Sequence, residues 1–275
     1  MERHPVADPT PLPIDAHAHV FARSLALAPG RRYAPATDAL LEDYLGHLDA
    51  HGLHGGVLIQ PSFLGTDNSY LLDAIRRAPN RLRGVAVVDE HVSPADLERL
   101  AHGGIAGIRL NLIGQPLPML DQGGWPRLLA CLRALDWHVE VHVEAARLSD
   151  IVGPLRAAQC RVMVDHFGRP DPALGETDPG FQWLLEAARD DGVWVKLSGA
   201  YRNWSEPIGP AARQAARLLV EHAGPDRLVW GSDWPHTQHP GVTYAQTYQA
   251  LADWIGDIDL RLRILAANPS RCFTF

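Results

Sequence analysis

The sequence predicts an α/β fold, a (β/α)8 barrel in one domain over residues 1–275. Three observations predict it. Eight short apolar runs alternate with segments whose apolar residues fall at helical spacing, the order that builds a parallel sheet wrapped in helices. The runs are nearly unbroken, as suits strands buried on both faces. No Gly-rich turn follows the first run, where an open doubly wound sheet would want one.

Residues 1–11 are Pro-rich and read as an extended arm. The first strand is Leu12 to His19. A long loop from Phe21 to Thr37 carries Arg31, Arg32 and Tyr33, and loops of that length are often functional. Leu40, Leu41, Tyr44, Leu45 and Leu48 give a helix over Asp38 to His51, ended by Gly52. The second strand is Gly56 to Gln60. After a turn at Pro61 to Thr66, Thr66 or Asp67 caps a helix through Leu71, Leu72 and Ile75. Leu82 to Val88 is the third strand and Pro94 to His102 its helix. Ile105 to Leu110 is the fourth strand, with a helix inside Gly124 to Leu135. His138 to Val143 precedes a helix near Leu148 to Ala158. Arg161 to His166 precedes one near Phe181 to Arg189. Val193 to Ser198 precedes one from Pro210 to His222. Arg227 to Asp233 is the eighth strand, with a helix from Tyr244 to Ile255. Asp259 to Ala267 is a last helical segment.

The totals narrow the function. Apolar residues make up 46% of the chain and charged residues 21%, ordinary for a globular protein. A net charge of −7 without a basic run argues against nucleic-acid binding. Cys131, Cys160 and Cys272 are too far apart for a metal knuckle, and a reducing compartment fits them. No apolar segment reads as a signal peptide or a membrane span, so the expectation is a cytoplasmic protein without a membrane partner. These residues fix no oligomeric state.

The chemistry gathers at the strand ends, where barrel enzymes keep it. Read as a plain strand, Asp15, His17 and His19 share one face. Two imidazoles so placed can hold one metal ion or polarise one carbonyl. Strand four ends in Arg109 and Asn111, strand five in His142 and strand six in His166. Ser198, Tyr201 and Arg202 follow strand seven. Asp233 ends strand eight, followed by Trp234, Pro235 and His236. Singly, each has a bland reading: Arg109 as a barrel ion pair, Asp165 as an orienting neighbour, His236 as a loop hydrogen bond. Jointly, His17, His19, His142, His166 and Asp233 would point into one mouth.

This set resembles the amidohydrolase superfamily, over nearly the whole chain. Within it the chain is most similar to the lactone-hydrolysing branch. The likeness rests on Arg31-Arg32-Tyr33, Gln60-Pro61-Ser62, Gly65-Thr66-Asp67-Asn68, Gly107-Ile108-Arg109 with Asn111, Asp165 to Asp171, Gly231 to His236, and Asn268 to Arg271. The resemblance implies hydrolysis of a carboxylated lactone from aromatic-compound degradation. In that reading Asp233 activates the water, and His17 and His19 stabilise the oxyanion. His166 polarises the carbonyl, shuttles a proton, or supports its neighbours. Arg109 and Arg202 match positions that bind ring carboxylates. Ser62, Thr66, Asn68, Tyr201 and His236 complete the expected substrate contacts, with Arg31 and Tyr33 at the margin.

One position departs from the metal-free lactonases, which carry Tyr where this chain has His142. His there is similar to mononuclear metal members. Two states therefore stay open: one divalent ion, zinc or manganese, on His17, His19, His142 and Asp233, or no metal. Three other functions stay open as well. A sugar-lactone hydrolase would use Asn111, Glu144, Trp204 and Trp234. A metal-dependent decarboxylase would use nearly the same residues as the lactonase. A non-enzymatic binding barrel would not need the strand-end set to be complete.

Overall fold

The computed structural model describes residues 11–204, 209–273 and 275. Most of the expected N-terminal arm lies outside them. Eight parallel strands run in sequence order: β1 Ile14–Ala18, β2 Gly55–Ile59, β3 Leu82–Ala86, β4 Ile105–Asn111, β5 His138–His142, β6 Arg161–Val164, β7 Val193–Leu197 and β8 Leu228–Trp230. The ring closes just past β8. There His19 N–H donates to Trp234 C=O and Asp233 N–H to His17 C=O, both at 2.8 Å. The helices are α1 Leu41–Ala50, α2 Ser69–Arg77, α3 Pro94–His102, α4 Trp125–Ala134, α5 Leu148–Ala157, α6 Pro179–Ala187, α7 Tyr201–Trp204, α8 Pro210–Ala223, α9 Tyr244–Trp254, α10 Ile258–Leu262 and α11 Asn268–Cys272. No helix among the described residues is long and apolar enough to cross a membrane.

The barrel is the one the alternation predicts, with adjustments at element ends. β3 stops at Ala86 rather than Val88 because the Asn68 amide takes over Val87. Asn68 Nδ2 donates to Val87 C=O, and Val87 N–H donates to Asn68 Oδ1. β8 stops at Trp230, three residues before the Asp233 expected to end it. Asp233 instead sits in a turn at φ +59°. The last expected helix, Asp259 to Ala267, runs as α10, a π-helical turn Arg263–Ala267 and α11. α1 ends as expected, with Gly52 at φ +67° and its N–H on Asp49 C=O.

One adjustment changes the site. β1 is bulged: Asp15 pairs with Gly56 but Ala18 with Leu58, so Ala16 and His17 together face one partner residue. Asp15, His17 and His19 therefore do not share a face, as plain alternation predicts. Asp15 turns outward, where Ser232 Oγ (2.6 Å) and Tyr244 Oη (3.0 Å) donate to its carboxylate. His17 and His19 turn inward, with Nε2 atoms 3.3 Å apart.

The interior is layered. At the N-terminal end Ile14, Ala16, Val57, Ile59, Val85, Met163, Trp194 and Val229 pack against Cys272 and Phe273 of the chain's end. Burying such side chains stabilises by roughly 1.5–3 kcal/mol each. Above this apolar layer the inward positions change to charge.

Candidate active site

The charged layer comprises His17 from β1, Arg109 from β4, Glu140 from β5, Asp165 after β6 and Lys196 from β7. Each is at most 4% exposed. Alternation puts Glu140 and Lys196 inside, because Val139, Val141, Val195 and Leu197 beside them belong to the outer core. Lys196 Nζ bonds Glu140 Oε2, and Arg109 bonds Asp165 Oδ2 through Nε (3.1 Å) and Nη2 (2.9 Å). Two cations face two carboxylates, the balance that burial of charge demands.

Above the layer opens a pocket at the C-terminal end of the strands. Four arginines line it, Arg32, Arg109, Arg169 and Arg202, together with His19, His142, His166 and His239. Asp233 is the one acid among its described lining residues. Asp233 Oδ2 is anchored by Tyr201 Oη at 2.6 Å and by Arg202 Nε. Its Oδ1 has no hydrogen-bond partner among the described residues and lies 3.8 Å from Nε2 of both His17 and His19. Ser62, Asn111, Phe21, Phe63 and Tyr33 also line the wall.

Burial pushes the Asp233 pKa up, but the Arg202 guanidinium, together with His166 and His17, holds the carboxyl well below the usual range. The histidines go the other way. Burial, with Arg109 nearby, takes His19 down to about 4, and burial takes His166 down to about 3. His142 is lowered well below its ordinary value by burial and then by Arg109. At neutral pH the mouth therefore holds an ionised carboxylate, neutral imidazoles and guanidinium groups.

One divalent ion fits part of this set. Nε2 of His17, Nε2 of His19 and Oδ1 of Asp233 form a triangle with edges of 3.3, 3.8 and 3.8 Å. Ligands about 2.0–2.2 Å from one ion stand about that far apart. The free Oδ1 lone pairs suit ligation too. His142 stands outside the triangle. Its Nδ1 is 3.2 Å from Arg109 Nη2, and its ring stacks edge-on against His166. His17, His166 and Asp165 form a second group of potential donors.

The structure thus brings His17, His19, His166, Asp233, Arg109 and Arg202 to one place and disperses others. Ser62 lines the pocket, whereas Thr66 and Asn68 face a different surface groove. Asn68 spends its amide on the backbone of Thr66 and Val87. Tyr201 acts from behind Asp233, and His236 lies behind the pocket with its ring against Tyr201. In the first loop Arg31 donates to Ala28 C=O and is exposed, while Arg32 reaches Asn111 Oδ1 at 3.2 Å and enters the pocket. Tyr33 closes the loop onto Thr237 Oγ1 at 3.0 Å.

Sequence reasoning missed Arg32, Arg169, Glu140 and Lys196. The last two carried a signal: a charge midway along an otherwise apolar strand must find a buried partner. Of the residues that would serve a sugar lactone, Asn111 alone lines the pocket. Glu144 accepts from Gly114 N–H and pairs with Arg147, Trp234 stacks on Tyr44, and Trp204 packs on Phe167.

Residues 14–275 match the family described as Amidohydrolase. A crystal structure from Pseudomonas putida, assigned as a 2-pyrone-4,6-dicarboxylic acid hydrolase, is 44% identical. It superposes with a TM-score of 0.87 over 95% of this chain and 97% of its own. A structure from Acinetobacter baumannii with the same assignment, holding citric acid, is 38% identical with a TM-score of 0.90, over 96% of this chain and 99% of its own. A 4-sulfomuconolactone hydrolase of Rhizobium radiobacter is 32% identical over 94% of this chain and 89% of its own.

Proposed function

The chain belongs to the amidohydrolase family, and on that premise we propose that it hydrolyses an anionic lactone, a carboxylated cyclic ester of aromatic-compound degradation. The observation that carries this reading is the pocket's charge: one carboxylate with a free oxygen among four arginines. Arginine forks suit planar carboxylates; Asp165 and Asp233 already pair with Arg109 and Arg202, so a neutral sugar lactone would bring no counter-charge to Arg32 and Arg169. The names of the similar enzymes support the same class.

The reaction adds water to the ester carbonyl and expels the ring oxygen. Asp233 Oδ1 accepts the water's proton, while Tyr201 and Arg202 hold Oδ2 and fix the carboxylate's direction. Because Arg202 depresses the carboxyl's pKa, Asp233 is ionised but weakly basic before substrate arrives. A substrate carboxylate sharing Arg202 relaxes that hold and strengthens the base. Imidazole N–H groups and Arg109 receive the charge that develops on the carbonyl oxygen. The proton taken by Asp233 then returns to the departing ring oxygen, which leaves as the hydroxyl of the opened acid. Where a divalent ion is bound, His17, His19 and Asp233 would hold it, and it would supply Lewis-acid polarisation of the carbonyl and a more acidic water.

The test compares turnover of a pyrone or muconolactone bearing carboxylates with that of an uncharged sugar lactone, followed by ring opening. The carboxylated lactone should win by at least about 100-fold in kcat/KM, as expected of a site whose polar groups need their partners. Equal turnover, or CO2 release without ring opening, would sink the proposal.

A further inference from the structure

The proton positions beneath the site follow from hydrogen-bonding rules. The carbonyl of Ile59 can only accept, and it lies 2.7 Å from His19 Nδ1, so His19 carries its proton on Nδ1 and has a lone pair on Nε2. Lys196 Nζ can only donate. It lies 3.1 Å from His17 Nδ1, closer than either neighbouring carboxylate oxygen. His17 therefore accepts on Nδ1 and carries its proton on Nε2. That proton points to His19 Nε2 at 3.3 Å, which has the lone pair to receive it. Lys196, His17, His19 and Ile59 C=O form one consistent donor chain.

We infer that Lys196, seated by Glu140, is a positioning residue that fixes the tautomer of His17. With the ammonium in place His17 offers N–H at the site. To ligate a metal ion through Nε2, His17 must move its proton to Nδ1, where it would face the Lys196 donor. An alternative acceptor stands ready: Asp165 Oδ1 is 3.4 Å from Nδ1, is buried, and has no hydrogen-bond partner among the described residues. Metal-ligating histidines commonly donate their other N–H to such a carboxylate. The same buried layer thus supports both tautomers, and Lys196 weights the balance toward the proton donor and against metal. This holds whether or not the substrate is a lactone.

The test needs no substrate, so its failure is separate from failure of the proposed reaction. Long-range 15N–1H spectra of histidine-labelled, metal-free protein, assigned with His17→Gln, read the tautomer of His17 directly. An unprotonated Nδ1 is expected; a protonated Nδ1 in the unaltered protein would overturn the inference without recourse to any other variant. The double substitution Lys196→Met with Glu140→Leu removes the donor and its counter-charge together. It should shift the proton to Nδ1 and tighten Zn2+ binding, measured against a chromophoric chelator, by about 10- to 100-fold. A folded double variant with unchanged tautomer, or with Zn2+ affinity unchanged or weakened, also refutes it.

Discussion

At the N-terminal end of the barrel, Val57, Val85, Met163 and Val229 fill the interior and Phe273 closes it. At the other end, inward positions of β1, β4, β5 and β7 carry His17, Arg109, Glu140 and Lys196. Both regions are buried, yet they are built on different physics. The apolar layer gains by burial itself, whatever its detailed arrangement. The charged layer gains only while every charge keeps its partner. A barrel can thus be stable from below and chemically specific from above, with β1 and β7 contributing to both, through Ile14, Ala16 and His17 and through Trp194 and Lys196.

Substitutions in the two layers should separate these roles. The largest effect belongs to Asp233. Asp233→Asn keeps the Tyr201 contact and the volume but loses the proposed base, so kcat should fall by about 10^2- to 10^4-fold. Thermal unfolding checks that the fold survives, and a variant with near-normal turnover would remove Asp233 from the base role. Next is Glu140→Ala, which strips Lys196 of its nearest carboxylate and leaves the buried ammonium, among the described residues, only Asp165 Oδ1 at 3.7 Å and His17 Nδ1 at 3.1 Å. Denaturant unfolding should show a loss of about 3–5 kcal/mol. The paired change at Lys196 and Glu140 should cost far less, because it deletes both charges. If single and double variants unfold alike, the layer is not held by charge pairing.

Met163→Ala tests the apolar end. It removes a fully buried side chain from β6, at an expected cost of about 2–5 kcal/mol, with kcat at saturating substrate nearly unchanged. A large drop in kcat would mean that the lower layer positions the catalytic groups as well as supporting them.

The contrast also explains what the sequence could show. Strands buried on both faces leave apolar runs, so the eightfold alternation was plain. The strand-end histidines and Asp233 stood out because polar groups there break those runs. The outward turn of Asp15 was hidden, because a bulge is a property of the pairing between β1 and β2 and has no residue signature of its own. Lys196 and Glu140 were visible as charges but lay in mid-strand, 56 positions apart, and only barrel closure makes them neighbours. Thr66 and Asn68 looked like substrate contacts because they follow a strand. Asn68 is instead consumed in ending β3 at Val87.

The smallest predicted effect concerns the first loop, where adjacent residues of the same charge differ in role. Among the described residues Arg31 bonds only within its own turn, whereas Arg32 crosses to Asn111 over the pocket. Nothing in the local sequence separates the two. The loop's closure does, since Phe21 N–H bonds Ala39 C=O and Tyr33 docks on Thr237, fixing which side chain turns inward. Arg32→Ala should raise KM for an anionic lactone by about 5- to 10-fold with little change in kcat, the loss of one charge-assisted contact worth about 1 kcal/mol. Arg31→Ala should leave both constants unchanged. If the two variants behave alike, Arg32 is a loop contact and the anion is held by Arg109, Arg169 and Arg202 on the barrel itself. A selective loss at Arg32 makes the loop part of the binding site, so that substrate charge is read by the first loop as well as by the strand ends.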